Sequence, residues 1–418
     1  MVTAQPRGQR PLSGVRICDL SGQLAGAGAT RMLAALGAEV IRVEDPSNNG
    51  AWDLLRVAGP FPGGQVGTNR SAAFNNHNVG KLGVTMNLRT EEGKALLREL
   101  IAVSDVVTEN FAAGVFARLG FSFDQLVAIK SDVIYVSHNG FGSTGPYAHF
   151  KSWGPIVQAF AGLTSLSRLP DEEPAGWGYS YMDHLGAWYM SIAILAALHH
   201  RRATGEGQAI DLAGTEAGAN LLGPYFLDCT VNDRSISEAP AWSSNRSISP
   251  AMAPHGIYPT VADDRWVSLA VRTDAEWARL AAAIAEPWCA SGSLASLAQR
   301  LSGIEELDRK IAAWSATREP REIEASLRVA RVAVAVVASP EERIDRDPAA
   351  RAFGLWPEAE HRELGTLRVD GLPFHLSEGD WEITRGAPCL GEHNDQVIGG
   401  LLGHGHEELR AWREAGVL

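Results

Sequence analysis

Short apolar runs alternate with amphipathic stretches through the first third of the chain. VRICDL (Val15–Leu20) is apolar enough to be a strand buried on both faces, and SGQLAGAG after it is a turn of small residues. ATRMLAALG then carries its apolar positions at helical spacing and stops at Gly37, a suitable C-cap. AEVIRVE (Ala38–Glu44) and LGVTMNL (Leu82–Leu88) predict two further strands. A helix from Thr90 to Ile101 follows, opened by Thr-x-x-Gly. DVVTENF (Asp105–Phe111) and DVIYVSHNGF (Asp132–Phe141) extend the same alternation. Strands and helices in strict succession with short connections imply an open parallel sheet covered on both faces. Ligands of such sheets bind beyond the carboxyl ends of the strands. That rule puts Gln23–Gly26, Glu109–Phe111 and His138–Gly145 on one rim.

Beyond about Leu222 the texture changes. DRSISEAPAWSSNRSISPAMAPHGIYP is rich in Ser, Pro and Ala and predicts a connection. DRWVSLAV and VARVAVAVVAS predict strands, and TDAEWARLAAAIAE predicts a helix with a capping-box start. A smaller α/β domain over 223–345 is therefore expected. A large Rossmann-like domain would be built from 1–222 with 346–418. The tail GEHNDQVIGGLLGHGHEELRAWREAGVL predicts helix without a sheet pattern of its own, so it must pack on another element.

With 418 residues the chain is long enough for two or three cores. A formal charge of −12 argues against a general nucleic-acid binder, although a basic pocket for one phosphorylated small molecule is compatible with it. Four cysteines with no C-x-x-C pair suggest a reduced, cytoplasmic protein without disulfides or a zinc ribbon. The longest apolar helix candidate, Ala187–Leu198, is too short to span a bilayer. No metal site is expected: His404-x-His406-Glu407 departs from H-E-x-x-H, and a helix-start role suits it better.

Gly140, Gly142 and Gly145 match G-x-G-x-x-G after a strand, the spacing of a dinucleotide turn. Pro146 and the following Gly154-Pro155 do not suit the helix such a turn must open, so NAD-dependent oxidoreduction is the minor alternative. Asp183 stands near the start of a long apolar helix, where backbone N–H groups and the helix dipole favour a carboxylate. Simple capping and a poised nucleophile both fit that placement. Trp153, Trp177 and Trp188 flank it.

The segments PLSGVRICDLSGQLAGAGATRMLAALGAEVIRVEDP, NNHNVGKLGVTMNL, DVVTENFAAGVFARLGF, IYVSHNGFGSTGPYAHFKSWGP, DHLGAWYMSIAILAAL, RRATGEGQAIDLA and GEHNDQVIGGLLG together resemble the family III CoA-transferases. That group contains formyl-CoA transferase and the carnitine CoA-transferases. The resemblance implies an interlocked homodimer, with a heteromer of related subunits as the alternative, and interlocking would account for the tail. It implies coenzyme A and acyl-CoA as substrates, with no tightly bound cofactor, and carboxylic acids as their partners. Asp183 matches the family nucleophile. By the same resemblance Leu24, Ala25, Lys81, Asn110, Phe111, Arg118 and Lys151 contact CoA, with Lys81, Arg118 and Lys151 facing its phosphates. Gly140, Gly142 and Trp153 would belong to the active-site loops, and amides near Gly140–Gly142 would support an oxyanion.

The sequence departs from the family pattern in places. The Gly-rich flap is replaced by SISPAMAPHGIYP, so Met252 and His255 are the residues expected to cap the site, and the usual basic positions hold Asp45 and Ala112. The related acyl-CoA racemases use a His–Asp pair. Trp153 stands where their His would be, which leaves His149 for that alternative. The aromatic surroundings are most similar to the branch handling larger dicarboxylates such as benzylsuccinate.

Overall fold

A computed structural model describes residues 9–167, 172–233, 247 and 250–418. Most of the connection predicted from Asp233 onward therefore lies outside the described residues. The chain divides into two units. One comprises residues 1–164, 176–223 and 349–418, and the other 165–175 and 224–348.

The larger unit is built on six parallel strands: β1 (Arg16–Asp19), β2 (Glu39–Glu44), β3 (Leu82–Thr85), β4 (Val106–Glu109), β5 (Ile134–Asn139) and β6 (Gln208–Ala213). Their order across the sheet is β3-β2-β1-β4-β5-β6. Alternate residues feed opposite cores. Ile17, Val40, Val106 and Ile134 pack with Ala29 and Leu33 of the helix Ala25–Ala35 and with Met190 and Ile194 of the helix Tyr181–Thr204. Cys18, Ile41 and Val107 pack on the other side with Leu96, Leu97 and Leu100 of the helix Glu91–Ala102. Thr90 starts that last helix, its hydroxyl accepting from the Gly93 amide at 3.0 Å. Two-sided burial explains why the first five strands are mostly apolar.

The tail lies on β3 of its own sheet. The His393 amide donates to the Gly83 carbonyl at 2.9 Å, and the Gly83 amide donates to His393 Nδ1 at 3.0 Å. Asn394 Oδ1 accepts from the Thr85 amide, while Val397, Ile398 and Leu409 complete the core beneath. A two-stranded hairpin, Glu358–His361 with Gly365–Arg368, precedes the tail.

The smaller unit has a three-stranded antiparallel sheet of His255–Pro259, Trp266–Ala270 and Ala333–Val336. Its core joins Val267 and Leu269 to Trp277, Leu280, Ile311 and Leu327 of three helices. The first of these helices, Asp274–Ile284, carries the expected Thr273/Glu276 capping box. Met252 and His255 belong to this unit.

Candidate active site

A cavity of about 560 Å³ opens over the carboxyl ends of β1, β4, β5 and β6. Strand order reverses between β1 and β4, so the cavity sits at the switch point where open α/β sheets take their ligands. Its wall is made by Gln23–Ala25, Asn110–Ala113, His138–Gly140, Ala148, Phe150–Pro155 and the start of the Asp183 helix.

Side chains bonded to backbone fix these loops. Asn110 receives the Gly22 amide at 2.7 Å and returns its own N–H to the Gly22 carbonyl at 2.8 Å, joining the loops after β1 and β4. Gln23, in the left-handed region at φ 56°, donates its amide to Asp53 at 3.2 Å. Asp53 in turn pairs with Arg42, which also donates to the Ser21 carbonyl, and all of these side chains are buried. Glu109 accepts from the Phe111 amide at 2.7 Å and from the Tyr135 hydroxyl at 2.8 Å. Burial holds the Glu109 carboxyl above its ordinary range. The glycine run after β5 is clamped by Asp211 of β6, which takes the Ser143 amide at 2.9 Å. The next helix after that run begins only at Gly154, so the run does not open a helix as a dinucleotide turn does.

Asp183 is delivered by the first turn of the helix Tyr181–Thr204, three residues after Ser180 at the N-cap. The described residues before it, 172–180, are bends and coil. The Asp183 carboxylate presses on the backbone at Gly154. A Cβ built on Gly154 would fall 2.3 Å from Asp183 Oδ2, so any side chain there would displace the carboxylate. Burial pushes the Asp183 carboxyl up to about 6, partly opposed by hydrogen bonds from Ser180 and from its own backbone. Among the described residues of the wall, Asp183 is the only carboxylate and Lys151 the only cation.

The structure brings Leu24, Ala25, Asn110, Phe111, Gly140, Lys151, Trp153 and Asp183 to this wall. Lys81 lies elsewhere. It is fully buried, with Nζ 3.0 Å from each of Asp19 Oδ2, the Ala27 carbonyl and Asn78 Oδ1. Its three donors are used there, so in this structure it holds the sheet together and does not face the cavity. Arg118 is exposed at the end of the turn Val115–Arg118, off the wall. Gly142, buried in the clamped loop, and the exposed His149 are also off it. His138, Asn139, Phe150 and Ser152 line the cavity without having been singled out from sequence. The rim segment His138–Gly145 takes in the first two, Phe150 and Ser152 lie beyond it, and nothing in the spacing told which side chains turn inward.

Residues 12–394 match the family described as CoA-transferase family III. The chain belongs to that family. This CoA-transferase is 32% identical over 406 residues to the succinate–glutarate CoA-transferase of Agrobacterium fabrum, covering 96% of this chain and 98% of the relative. It is 30% identical to the formyl-CoA:oxalate CoA-transferase of Streptomyces coelicolor, covering 98% and 99%. A crystal structure of a CAIB/BAIF family protein from Brucella suis superposes with a TM-score of 0.84 at 27% identity, over 94% of this chain and all of that one. Among the described residues of the CoA-transferase, no helix is long and apolar enough to cross a membrane.

Proposed function

We propose that the enzyme transfers CoA from an acyl-CoA to a free carboxylic acid through covalent intermediates on Asp183. The observation that carries this reading is a carboxyl lifted to about 6 in the wall of the sheet-rim cavity, ionised at neutral pH yet poorly solvated. An Asp183 oxygen attacks the thioester carbonyl, the C–S bond breaks, and a mixed anhydride and CoA thiolate result. The thiolate attacks the aspartyl carbonyl of the anhydride, giving an aspartyl-CoA thioester and releasing the donor acid as its carboxylate. The acceptor carboxylate then attacks that thioester, and the expelled thiolate takes the acceptor acyl group, restoring Asp183. No net proton is gained or lost. Poor solvation and fixed geometry favour attack by an otherwise weak nucleophile.

The cavity wall supports a larger acid as acceptor or donor, as in the benzylsuccinate-handling branch. Phe111, Phe150 and Trp153 offer apolar area, and Lys151 offers a cation for a phosphate or a second carboxylate. An interlocked dimer remains part of the reading. Trp188, Ile192 and Leu195 form an exposed apolar stripe on one face of the Asp183 helix, which suits a second copy of the chain. The test is incubation with a panel of acyl-CoA donors and acids, wild type against Asp183→Ala, with mass spectrometry of the enzyme for the aspartyl-CoA adduct. Transfer that survives the substitution would overturn the covalent mechanism. α-Proton exchange in deuterated water without transfer would favour a racemase.

A further inference from the structure

Ser180 is the N-cap of the Asp183 helix, yet its hydroxyl does not cap it. At Ser71, Thr90, Ser122, Thr273 and Ser296 the N-cap backbone is extended and the side-chain oxygen accepts the amide three residues on. Ser180 has ψ 54° instead, and the Asp183 amide donates to the Ser180 carbonyl at 3.1 Å. The S-x-x-D spacing of a capping box is thus present while the serine oxygen makes no cap bond. The Ser180 hydroxyl donates to the Asp183 carboxylate, which also accepts from its own backbone. Gly154 abuts the same pair: its Cβ position, 2.3 Å from Asp183 Oδ2, lies 3.7 Å from Ser180 Cα. Ser180 and Asp183 both line the cavity. The serine at this helix start therefore serves the carboxylate and not the helix.

We propose that Ser180 is a catalytic residue whose hydroxyl holds the Asp183 oxygen that gathers negative charge when CoA thiolate attacks the aspartyl carbonyl. This rests on the CoA-transfer reading above. The other oxygen makes the bond to the donor acyl group, and the one held by Ser180 stays as the carbonyl. When the sulfur bonds to the aspartyl carbon, the C=O electron pair moves onto that oxygen, and Ser180 donates to it while keeping its proton. The pair then returns, the C–O bond to the acyl group breaks, and the donor acid leaves as its carboxylate. Attack by the acceptor carboxylate on the aspartyl-CoA thioester loads the same oxygen, so one hydroxyl serves both halves of the transfer. A donor to the ionised carboxylate also favours it over the acid. The titratable groups around Asp183 are Lys151 of the loop before Gly154, His138 of β5 against Gly186, and His184 on the same helix. Burial and hydrogen bonds, not a neighbouring charge, set the carboxyl's position.

The experiment uses the full chain with Ser180→Ala, Ser180→Gly and Ser180→Thr, and succinyl-CoA and glutarate as probes. The expected result is a kcat lower by about tenfold or more without the hydroxyl, with KM for succinyl-CoA near wild type. The Thr variant, which keeps the hydroxyl, should recover most of the rate. The midpoint of the pH–kcat profile should move up in the Ala and Gly variants and stay in place in the Thr variant. Melting curves should change little, because no cap bond is lost and Gly is accepted at an N-cap. Titration of the Asp183 side-chain carbon by ¹³C, assigned with Asp183→Asn, reads the contact without turnover and should move up with the rate profile. Hydroxyl-free variants within about threefold of wild type in kcat, or slow variants whose midpoint and ¹³C titration are unmoved, would overturn the proposal. If neither folds, Ser180→Cys, of similar size and a weaker donor, takes their place under the same criteria. If wild type transfers CoA between no pair of acids, the transfer reading fails on its own, and the ¹³C titration still reports whether Ser180 meets the carboxylate.

Discussion

Replacing Asp183 by Asn should abolish transfer and, at neutral pH, stabilise the fold. The carboxyl moves from its ordinary 3.8 to about 6 because burial disfavours its charge. At 1.36 kcal/mol per pH unit this corresponds to about 3 kcal/mol, an upper figure given the cavity's opening to solvent. The folded state holds the proton more tightly than the unfolded chain, so the contribution to stability is fully present below pH 3.8. It is lost as pH rises through about 6. The ionised enzyme at pH 7.5 therefore carries a strain that Asn, of the same size and neutral, does not. Denaturant or thermal melts of both proteins should show the Asn variant more stable at pH 7.5, with the gap closing toward pH 4. Transfer by the wild type should rise with unit slope through about pH 6 and level off above it. Equal stabilities at pH 7.5, or a rate flat down to pH 4.5, would refute the buried-carboxyl reasoning. This is the cost expected where a site is arranged for reaction and not for stability.

Gly154→Ala should cut transfer strongly with little loss of fold, because its methyl group would displace Asp183 Oδ2; kcat measured beside a melting curve checks this. Lys81→Met leaves Asp19 buried beside one cation fewer and should cost about 3–5 kcal/mol of stability. Denaturation midpoints read that loss, and KM for the acyl-CoA should stay near wild type if the expressed fraction is folded. Trp188→Glu with Ile192→Glu should shift the protein toward smaller species in sedimentation velocity; an unchanged coefficient would remove the stripe from the assembly interface.

Five of the six parallel strands stand out in the sequence because two-sided burial makes them mostly apolar. The sixth, QAIDLA, lies at the sheet edge with partly exposed residues and an Asp at its centre, so it lacks that signature. The hairpin EAEH/GTLR is polar for the same reason. The rim loops could be located from the strand ends, and they carry most of the cavity wall. The direction of each side chain could not. Lys81 has the chemistry of a phosphate ligand, but its partner Asp19 is 62 residues away, and only the folded sheet brings the two together. Asn110 similarly gives both ends of its amide to Gly22, a commitment no local pattern reveals. His138 passed as an ordinary strand residue because the pattern of β5 does not tell that its ring lies against Gly186 of a helix distant in sequence.

The bonds from His393 and Asn394 to Gly83 and Thr85 bear on how the protein is made. Until His393 and Asn394 have been synthesised, the free edge of β3 is an uncovered row of amides and carbonyls, the kind of edge that recruits other strands. The segment 224–348, which with 165–175 makes the smaller unit, is synthesised earlier. The sheet that bears the active site is thus closed at this edge only after the segment 224–348 has been made. A product truncated before His393 should show this as aggregation.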